Sequence, residues 1–312
     1  MTEPPKDAAP AGDEEFTEEP KSAGSLIARF FLLPLVVVLA AVGIFLVFNY
    51  TTFERRGPRD YLQEVRGGAA NRRWQAAFEL SRSLPNLPPE ERASLTAETL
   101  RVFEGLSPKR PDDLLVRRYL VLVLGRLGEK QAVPALIQAA SAEDPDTRLY
   151  AIWALGKIGD PAGFETVLAA SRSEDSGVRK LAAYVLGALG DPRAVPRLQV
   201  LADDRVADVR WNAAIGLAQL GDASGLPVLR SMLDRAALAR QAEITSEQAE
   251  GAMVNALKAL VLLRDTQSLP VMEELARKDP NLLVRDAARK AVEAIRPKAS
   301  IRLERLDAVL VG

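Results

Sequence analysis

Apolar residues recur at a helical spacing in four consecutive segments of the chain. Each segment begins at an arginine and carries apolar residues three, seven and ten positions later. The four arginines are Arg117, Arg148, Arg179 and Arg210. Residues at this spacing lie on one face of an α-helix. The pattern therefore predicts four amphipathic helices, each with one buried face.

A glycine ends each of these helices, and a short apolar segment follows it. The glycines are Gly128, Gly159, Gly190 and Gly221, and each lies 31 residues after the one before. Glycine tolerates the left-handed conformation that often follows a helix end. The next residue is an aspartate after the last three of these glycines, and an aspartate can cap the start of a second helix. A fixed period of this length indicates stacked repeats of two antiparallel helices.

A second series of glycines lies inside the first helices, at Gly125, Gly156 and Gly187. Glycine inside a helix costs about 1 kcal/mol relative to alanine. Because glycine returns at the same position of successive units, we expect neighbouring helices to approach closely there.

Weaker copies of the pattern extend the array on both sides. "RRWQAAFEL" from Arg72 begins a first repeat, and "LVRDAARKAVEAI" from Leu283 forms a last helix. We therefore expect the repeats to occupy residues 71–296.

The sixth unit is "GAMVNALKALVLLRDTQSLPVMEEL" from Gly251, in which Met253 takes the place of the repeated arginine. Between the fifth and sixth units the spacing grows by 12 residues, around the segment Asp234–Gln248. Thr245 and Gln248 have capping-box spacing, which predicts that a helix begins there. The insertion is either a bulge at a binding site or a lengthened helix pair without a partner.

The clearest copy of the repeat is "VRKLAAYVLGALGDPRAVPRL", Val178–Leu198. It resembles the short HEAT repeats of bacterial scaffolds and phycobilin lyases, with the motif V-R-x-x-A-x-x-x-L-G-x-L-G-D-P-x-A-V-P-x-L. The resemblance implies an all-α fold, an α-solenoid of about seven helical hairpins. It also implies an extended surface that binds another protein, which is the usual use of such arrays.

The N-terminal part has a different composition. Residues 1–25 are rich in Pro, Glu and Ala, and we expect this acidic tail to be disordered. The run Phe30–Phe48 has 19 residues without a charge. A helix of that length crosses about 30 Å of hydrocarbon. We therefore expect a transmembrane helix at 26–49 that contacts the lipid bilayer through Phe30–Phe48, and a juxtamembrane neck at 50–70.

The orientation of this anchor follows from its flanks. Four arginines follow the apolar run, against one lysine and one arginine before it: Arg55, Arg56, Arg59 and Arg66 after, Lys21 and Arg29 before. Positive charge favours the cytoplasmic side. We expect a single-pass protein of the bacterial inner-membrane type with cytoplasmic repeats. Residues 297–312 are expected to form a C-terminal cap or tail.

The composition narrows the possible chemistry. The chain has no Cys and no His, so it lacks the thiolate nucleophile, the commonest general base and the commonest metal ligand. A HEAT-fold hydroxylase uses His-Glu metal motifs, which cannot exist in this chain. The repeated arginines are interpreted as stacking residues that meet an acid or a carbonyl of an adjacent turn. We predict that the protein is not an enzyme and has neither cofactor nor metal site.

The net charge helps to decide which class of partner the protein binds. The chain carries −1 overall, and its acidic tail carries −5, which leaves +4 for the rest. A nearly neutral body argues against nucleic acid as a partner, because non-specific binding needs a strong basic field.

Two sets of arginines are candidate binding residues. Arg193, Arg197 and Arg230 fall on second helices and are expected to form a basic strip for a protein partner, unless they are ordinary solvated residues. Arg55, Arg56 and Arg59 are expected to touch anionic lipid headgroups. The function predicted is a membrane-anchored scaffold or adaptor that binds another protein through its solenoid. The alternatives are an accessory subunit of a larger membrane complex and a HEAT-fold enzyme of the bilin-lyase type.

Overall fold

The computed structural model describes residues 32–52, 57–241 and 244–296, and the regular secondary structure in these ranges is entirely helical. This confirms the predicted all-α class for the described part of the chain. The chain divides into two units, Met1–Arg56 and Gly57–Gly312.

The first unit contains α1 (Leu33–Thr52). Its described side chains are exposed, including Ile44 at 70% and Phe45 at 65%. Among the described residues, no helix reaches both the length and the hydropathy of a membrane span. The predicted transmembrane helix is therefore not confirmed. The tail at 1–25 and the predicted start of the span at 26–31 lie outside the described residues.

The second unit is a stack of helical pairs. In chain order its helices are α2 (Pro58–Gly67), α3 (Ala70–Arg82), α4 (Pro89–Glu104), α5 (Pro111–Leu127), α6 (Val133–Ala139), α7 (Pro145–Ile158), α8 (Phe164–Ala170), α9 (Ser176–Leu189), α10 (Val195–Leu201), α11 (Ala207–Gln219), α12 (Leu226–Ser231), α13 (Arg235–Ala239), α14 (Ser246–Leu262), α15 (Leu269–Lys278) and α16 (Leu282–Ile295). The first helices of the repeats are α3, α5, α7, α9, α11, α14 and α16, and each contacts the next. The second helices are α4, α6, α8, α10, α12 and α15.

The array begins earlier than the sequence pattern indicated. Helix α2 falls within the predicted neck at 50–70, yet its Leu62 and Val65 are buried at 2% and 0% exposure. Arg73 of α3 donates from Nε to the carbonyl of Val65 over 2.9 Å. Because its apolar face covers the first helical pair, α2 is part of the array, which starts at Pro58 rather than at residue 71.

The turns inside the repeats follow the predicted chemistry. The four repeated glycines have φ between 70° and 76° at Gly128, Gly159, Gly190 and Gly221. Asp160 and Asp191 each accept a backbone N–H two residues later over 2.9 Å, and Asp222 does the same. The sixth unit differs, since Arg264 adopts the left-handed conformation there with φ of 52°.

The glycines inside the first helices mark close contacts between neighbouring helices. A Cβ on Gly125 would lie 2.7 Å from the Cβ of Ala154, and one on Gly156 would lie 2.6 Å from Cγ2 of Val185. Real Cβ contacts are not this short, so the predicted close approach is confirmed.

The core runs along the stack between its two layers of helices. One cluster of buried side chains extends from Leu62 to Leu217, and a second extends from Trp211 to Ile295. After the insertion, the predicted capping box is present: Thr245 N–H donates to Gln248 Oε1 over 2.9 Å, and Gln248 N–H donates to Thr245 Oγ1 over 3.2 Å. The expected cap or tail at 297–312 lies outside the described residues.

Candidate partner-binding surfaces

The repeated arginines of the first helices hold consecutive repeats together. Each donates from Nη1 to two backbone carbonyls in the last turn of the preceding second helix or just after it, at distances of 2.7 to 3.1 Å. The predicted structural role of Arg117, Arg148, Arg179 and Arg210 is confirmed.

Arg179 has an additional partner in the segment between α10 and α11. Its Nε and Nη2 donate to the two carboxylate oxygens of Asp204 over 2.8 and 3.1 Å. The hydrogen bonds raise the pKa of Arg179 and lower the pKa of Asp204. With Arg179 only 7% exposed, this pair stabilises the stack and is closed to partners.

Arg193 is the most exposed of the three arginines predicted to bind a partner. It donates to Asp191 over 2.7 Å and to Glu165 over 3.3 Å, and its guanidinium lies 4.2 Å from the ring centre of Phe164. The hydrogen bond from Arg193 lowers the pKa of Asp191. The side chain remains 61% exposed, so Arg193 is placed where a partner can reach it.

Arg197 and Arg230 are engaged within the array. Arg197 donates to the carbonyl and hydroxyl oxygens of Ser171 over 2.6 and 2.9 Å, and burial lowers its pKa. Arg230 forms a two-point pair with Asp265, over 2.6 and 2.9 Å. The expected basic strip is thus not assembled from free cations, because each arginine is neutralised or held separately.

The arginines predicted to touch lipid headgroups are only partly described. Arg59 lies on α2, where it donates to Ser94 over 3.2 Å and pairs with Glu98 over 3.5 Å. These contacts join α2 to α4 and leave the Arg59 side chain 59% exposed. Arg55 and Arg56 lie outside the described residues.

A cleft of 460 Å³ opens between the second helices α6 and α8 and the first helices behind them. Its lining combines small apolar residues with hydroxyl and charged groups: Ala140, Ser141, Arg148, Ile152, Glu165, Thr166, Ala169, Ala170, Ser173 and Val178. Glu165 joins this cleft to Arg193. We name the cleft together with Arg193 the second-helix surface. No local sequence pattern points to this surface, because its residues come from separate helices.

A larger groove of 760 Å³ lies between the first helices α14 and α16. Its floor is apolar and includes Val254, Leu257, Val261 and Ala291, and its rim carries Glu247, Glu250, Lys258, Asp286 and Lys290. Leu283 stands at its edge and is 74% exposed. Val254 and Val261 do not fall three, seven or ten residues after Met253, where the core residues of a unit lie. Apolar residues outside that spacing are the sequence signal that could have revealed this groove.

Within the described residues, no group of three or more acidic side chains is arranged to hold a metal ion. Every buried side-chain nitrogen or oxygen in that part of the chain has a hydrogen-bond partner.

Comparison with known proteins agrees with this architecture. Residues 109–179 and 164–247 match the family model described as HEAT repeats. No curated protein matches the chain in sequence.

Two solved structures share the fold. The complex of CpcE and CpcF of phycocyanin lyase from Nostoc sp. PCC7120 is similar with a TM-score of 0.51 and 17% identity, covering 77% of this chain and 95% of that chain. YibA of E. coli is similar with a TM-score of 0.50 and 17% identity, covering 77% of this chain and 83% of that chain.

The similarity to the lyase complex corrects one prediction. The sequence was interpreted as that of a protein that is not an enzyme. This prediction, which rested on the missing Cys and His, is contradicted, because a similar fold occurs in the phycocyanin lyase complex.

The matched segment from 109 to 247 contains the first helices with the arginine contacts, the glycine turns and the short second helices. This segment is similar to HEAT repeats, and the helices on either side of it continue the same stack.

Proposed function

We propose that this protein is a scaffold that binds another protein through its second-helix surface. The observation that carries the proposal is the 460 Å³ cleft, which combines an apolar floor with hydroxyl and charged groups. Stacked repeats commonly use such continuous surfaces for binding. The similarity to CpcE and CpcF gives further support, because that structure is itself a complex of two proteins.

The charges at the cleft indicate what kind of group it would receive. Glu165 and Arg193 are 73% and 61% exposed and lie 3.3 Å apart. An exposed ion pair of this kind contributes at most about 1 kcal/mol. A partner's own acid can therefore replace Glu165 at Arg193 at little cost, while Asp191 stays bonded to Arg193. We propose a partner segment with a small apolar group for the alanines of the floor and one acidic side chain for Arg193.

We also propose that the apolar segment at 26–49 anchors the chain in a membrane with the repeats on the cytoplasmic side. The exposed apolar side chains of α1 support this, because in water they would be unfavourably hydrated. The arginines that follow the segment support the orientation. The test is alkaline extraction of membranes from cells that express the full chain or a chain lacking 26–49. Recovery of both chains in the soluble fraction would contradict the anchor.

The scaffold proposal is tested by photo-crosslinking in intact cells. A photoreactive amino acid replaces Thr166 in the cleft, and Lys180 on the first helix α9 is the matched control position. We expect one recurring crosslinked protein from position 166 and none from position 180. Equal recovery from both positions, or none from either, would contradict a specific site.

A pair of substitutions separates binding from folding. Ala169 lines the cleft and Ala188 lies on α9, and both are exposed. Ala169→Trp should fill the cleft and lower partner recovery by more than about tenfold, which corresponds to about 1.4 kcal/mol. Ala188→Trp should leave recovery unchanged. Both variants should keep the melting temperature of the parent protein.

An accessory subunit of a larger membrane complex is a second candidate, and the exposed apolar face of α1 favours it. Such a subunit should migrate with its partners in native gels after mild detergent extraction, and removal of 26–49 should release it. A lyase-type activity is supported by the fold alone. Its test is covalent transfer of a bilin to a phycocyanin subunit by the purified protein.

A further inference from the structure

The groove between α14 and α16 coincides with a change in the repeat pattern. In three earlier units the position eight residues after the repeated arginine is Gly125, Gly156 or Gly187, where neighbouring first helices touch, and in the fifth unit it is Ala218. In the sixth unit Met253 replaces the arginine, and the same position is Val261, whose side chain lines the groove.

The groove leaves apolar side chains open to solvent at the end of the stack. Leu283 is 74% exposed, and Val254 and Val261 are half-buried. Two charges on its α14 rim, Glu247 and Lys258, have no ion-pair partner among the described residues. An exposed apolar groove with unpaired charges on its rim is a surface that a segment of matching polarity can cover.

We propose that residues 297–312 of the same chain occupy this groove and form the C-terminal cap of the solenoid. The described chain ends at Arg296, directly after α16, and α16 is one wall of the groove. The next 16 residues therefore begin beside it. From Leu283 to Ala294 the wall is about 17 Å long at helical rise, which those residues can follow in helical or extended form.

The sequence of this segment matches the groove in polarity and charge. Its apolar residues are Ala299, Ile301, Leu303, Leu306, Ala308, Val309, Leu310 and Val311. These can cover Leu283, Val254 and Val261. Its acids, Glu304 and Asp307, can pair with Lys258, and its bases can pair with Glu247.

This occupancy concerns a different surface from the one proposed to bind a partner, so each proposal can fail without the other. The second-helix surface is tested at position 166. The cap is tested at α14 and in the segment 297–312.

The absence of cysteine in the chain allows an unambiguous crosslinking test. The full chain with Val254→Cys and Leu306→Cys is oxidised, and the linked peptides are identified by mass spectrometry. The matched control pairs Tyr184→Cys with Leu306→Cys, since Tyr184 is 49% exposed on another first helix. We expect an intramolecular disulfide in the first pair, at several times the yield of the control.

Three results would overturn the proposal. Equal yield in both pairs would mean that the segment has no preferred place. A disulfide formed only between two chains would assign the groove to a second copy. If another protein, and not residues 297–312, protects the groove, the groove is the binding site of a partner.

Because Val254→Cys alters the floor of the groove, a second pair of cysteines is placed outside the floor. Lys258→Cys with Leu310→Cys places the link on the exposed rim. Hydrogen exchange provides an independent measurement, because amides of α14 and α16 should exchange several-fold faster in a chain ending at residue 296. Unchanged exchange there would contradict the cap.

Discussion

Gly187 of α9 lies against Gly216 of α11, and a Cβ on Gly187 would be only 2.5 Å from the Cα of Gly216. Two successive first helices therefore meet backbone to backbone at this crossing. The contact lets the apolar side chains on either side interdigitate, so it sets the spacing of the stack.

We predict that Gly187→Ala destabilises the protein by about 3 kcal/mol, because the new methyl group forces the two backbones apart. Gly251 of α14 is the matched control, since a Cβ there would meet nothing within 4 Å. Gly251→Ala should stabilise the protein by up to about 1 kcal/mol through its better helix propensity. Chemical denaturation followed by circular dichroism measures both. Equal effects of the two substitutions would show that the contact is loose.

Leu186 is fully buried between the two layers of helices. Leu186→Asp should cost more than about 4 kcal/mol, because it leaves a cavity and buries an unpaired charge. Leu262 of α14 is 60% exposed, and Leu262→Asp should change the melting temperature little. A variant at Leu186 that melts like the parent would show that this residue is not in the core.

The pair of Arg118 and Asp144 predicts how stability depends on pH. Arg118 donates to both oxygens of Asp144 over 2.5 and 2.8 Å, and this hydrogen bonding lowers the pKa of Asp144 from 3.8 to about 2. A carboxylate whose folded pKa is depressed stabilises the protein above its unfolded pKa. That contribution is lost as the pH falls from about 4 through 2.

Asp144→Asn keeps a side chain that can cap α7 but removes the charge. It should cost on the order of 2 kcal/mol at neutral pH, and the difference from the parent should vanish near pH 2. Asp146 also contacts Arg118 but is 49% exposed, so Asp146→Asn should have a much smaller effect. Urea denaturation at several pH values measures both. A constant difference across the acidic range would contradict the charge pairing.

The contacts of the arginines predict different losses of stability when each is replaced by alanine. Arg179 is buried and bonded to two carbonyls and to Asp204, so Arg179→Ala should cost about 3 to 5 kcal/mol. Arg148 bonds carbonyls alone, and Arg148→Ala should cost about 1 to 2 kcal/mol. Arg205 is exposed, and Arg205→Ala should change the free energy of unfolding by less than about 0.5 kcal/mol. The reverse order would indicate that the arginines serve a binding surface.

The local parts of this fold were predictable from the sequence, because their causes lie within a few residues. The glycine turns depend on one backbone conformation, and the caps at Asp160, Asp191 and Thr245 bond to groups two or three residues away. The spacing of apolar residues identified the first helices, and the 31-residue period identified the repeat.

Only the tertiary structure decided which charges are free and where surfaces open. Arg235 pairs with Asp279 over 2.7 Å although 44 residues separate them, and Arg230 is held by Asp265 from the next unit. Helix α2 belongs to the array through apolar contacts that could not be predicted from its short sequence. The groove beside Val261 is lined by residues of two separate helices, α14 and α16. Such features depend on the packing of distant segments, whereas the repeat itself is determined by local conformational preference and apolar spacing.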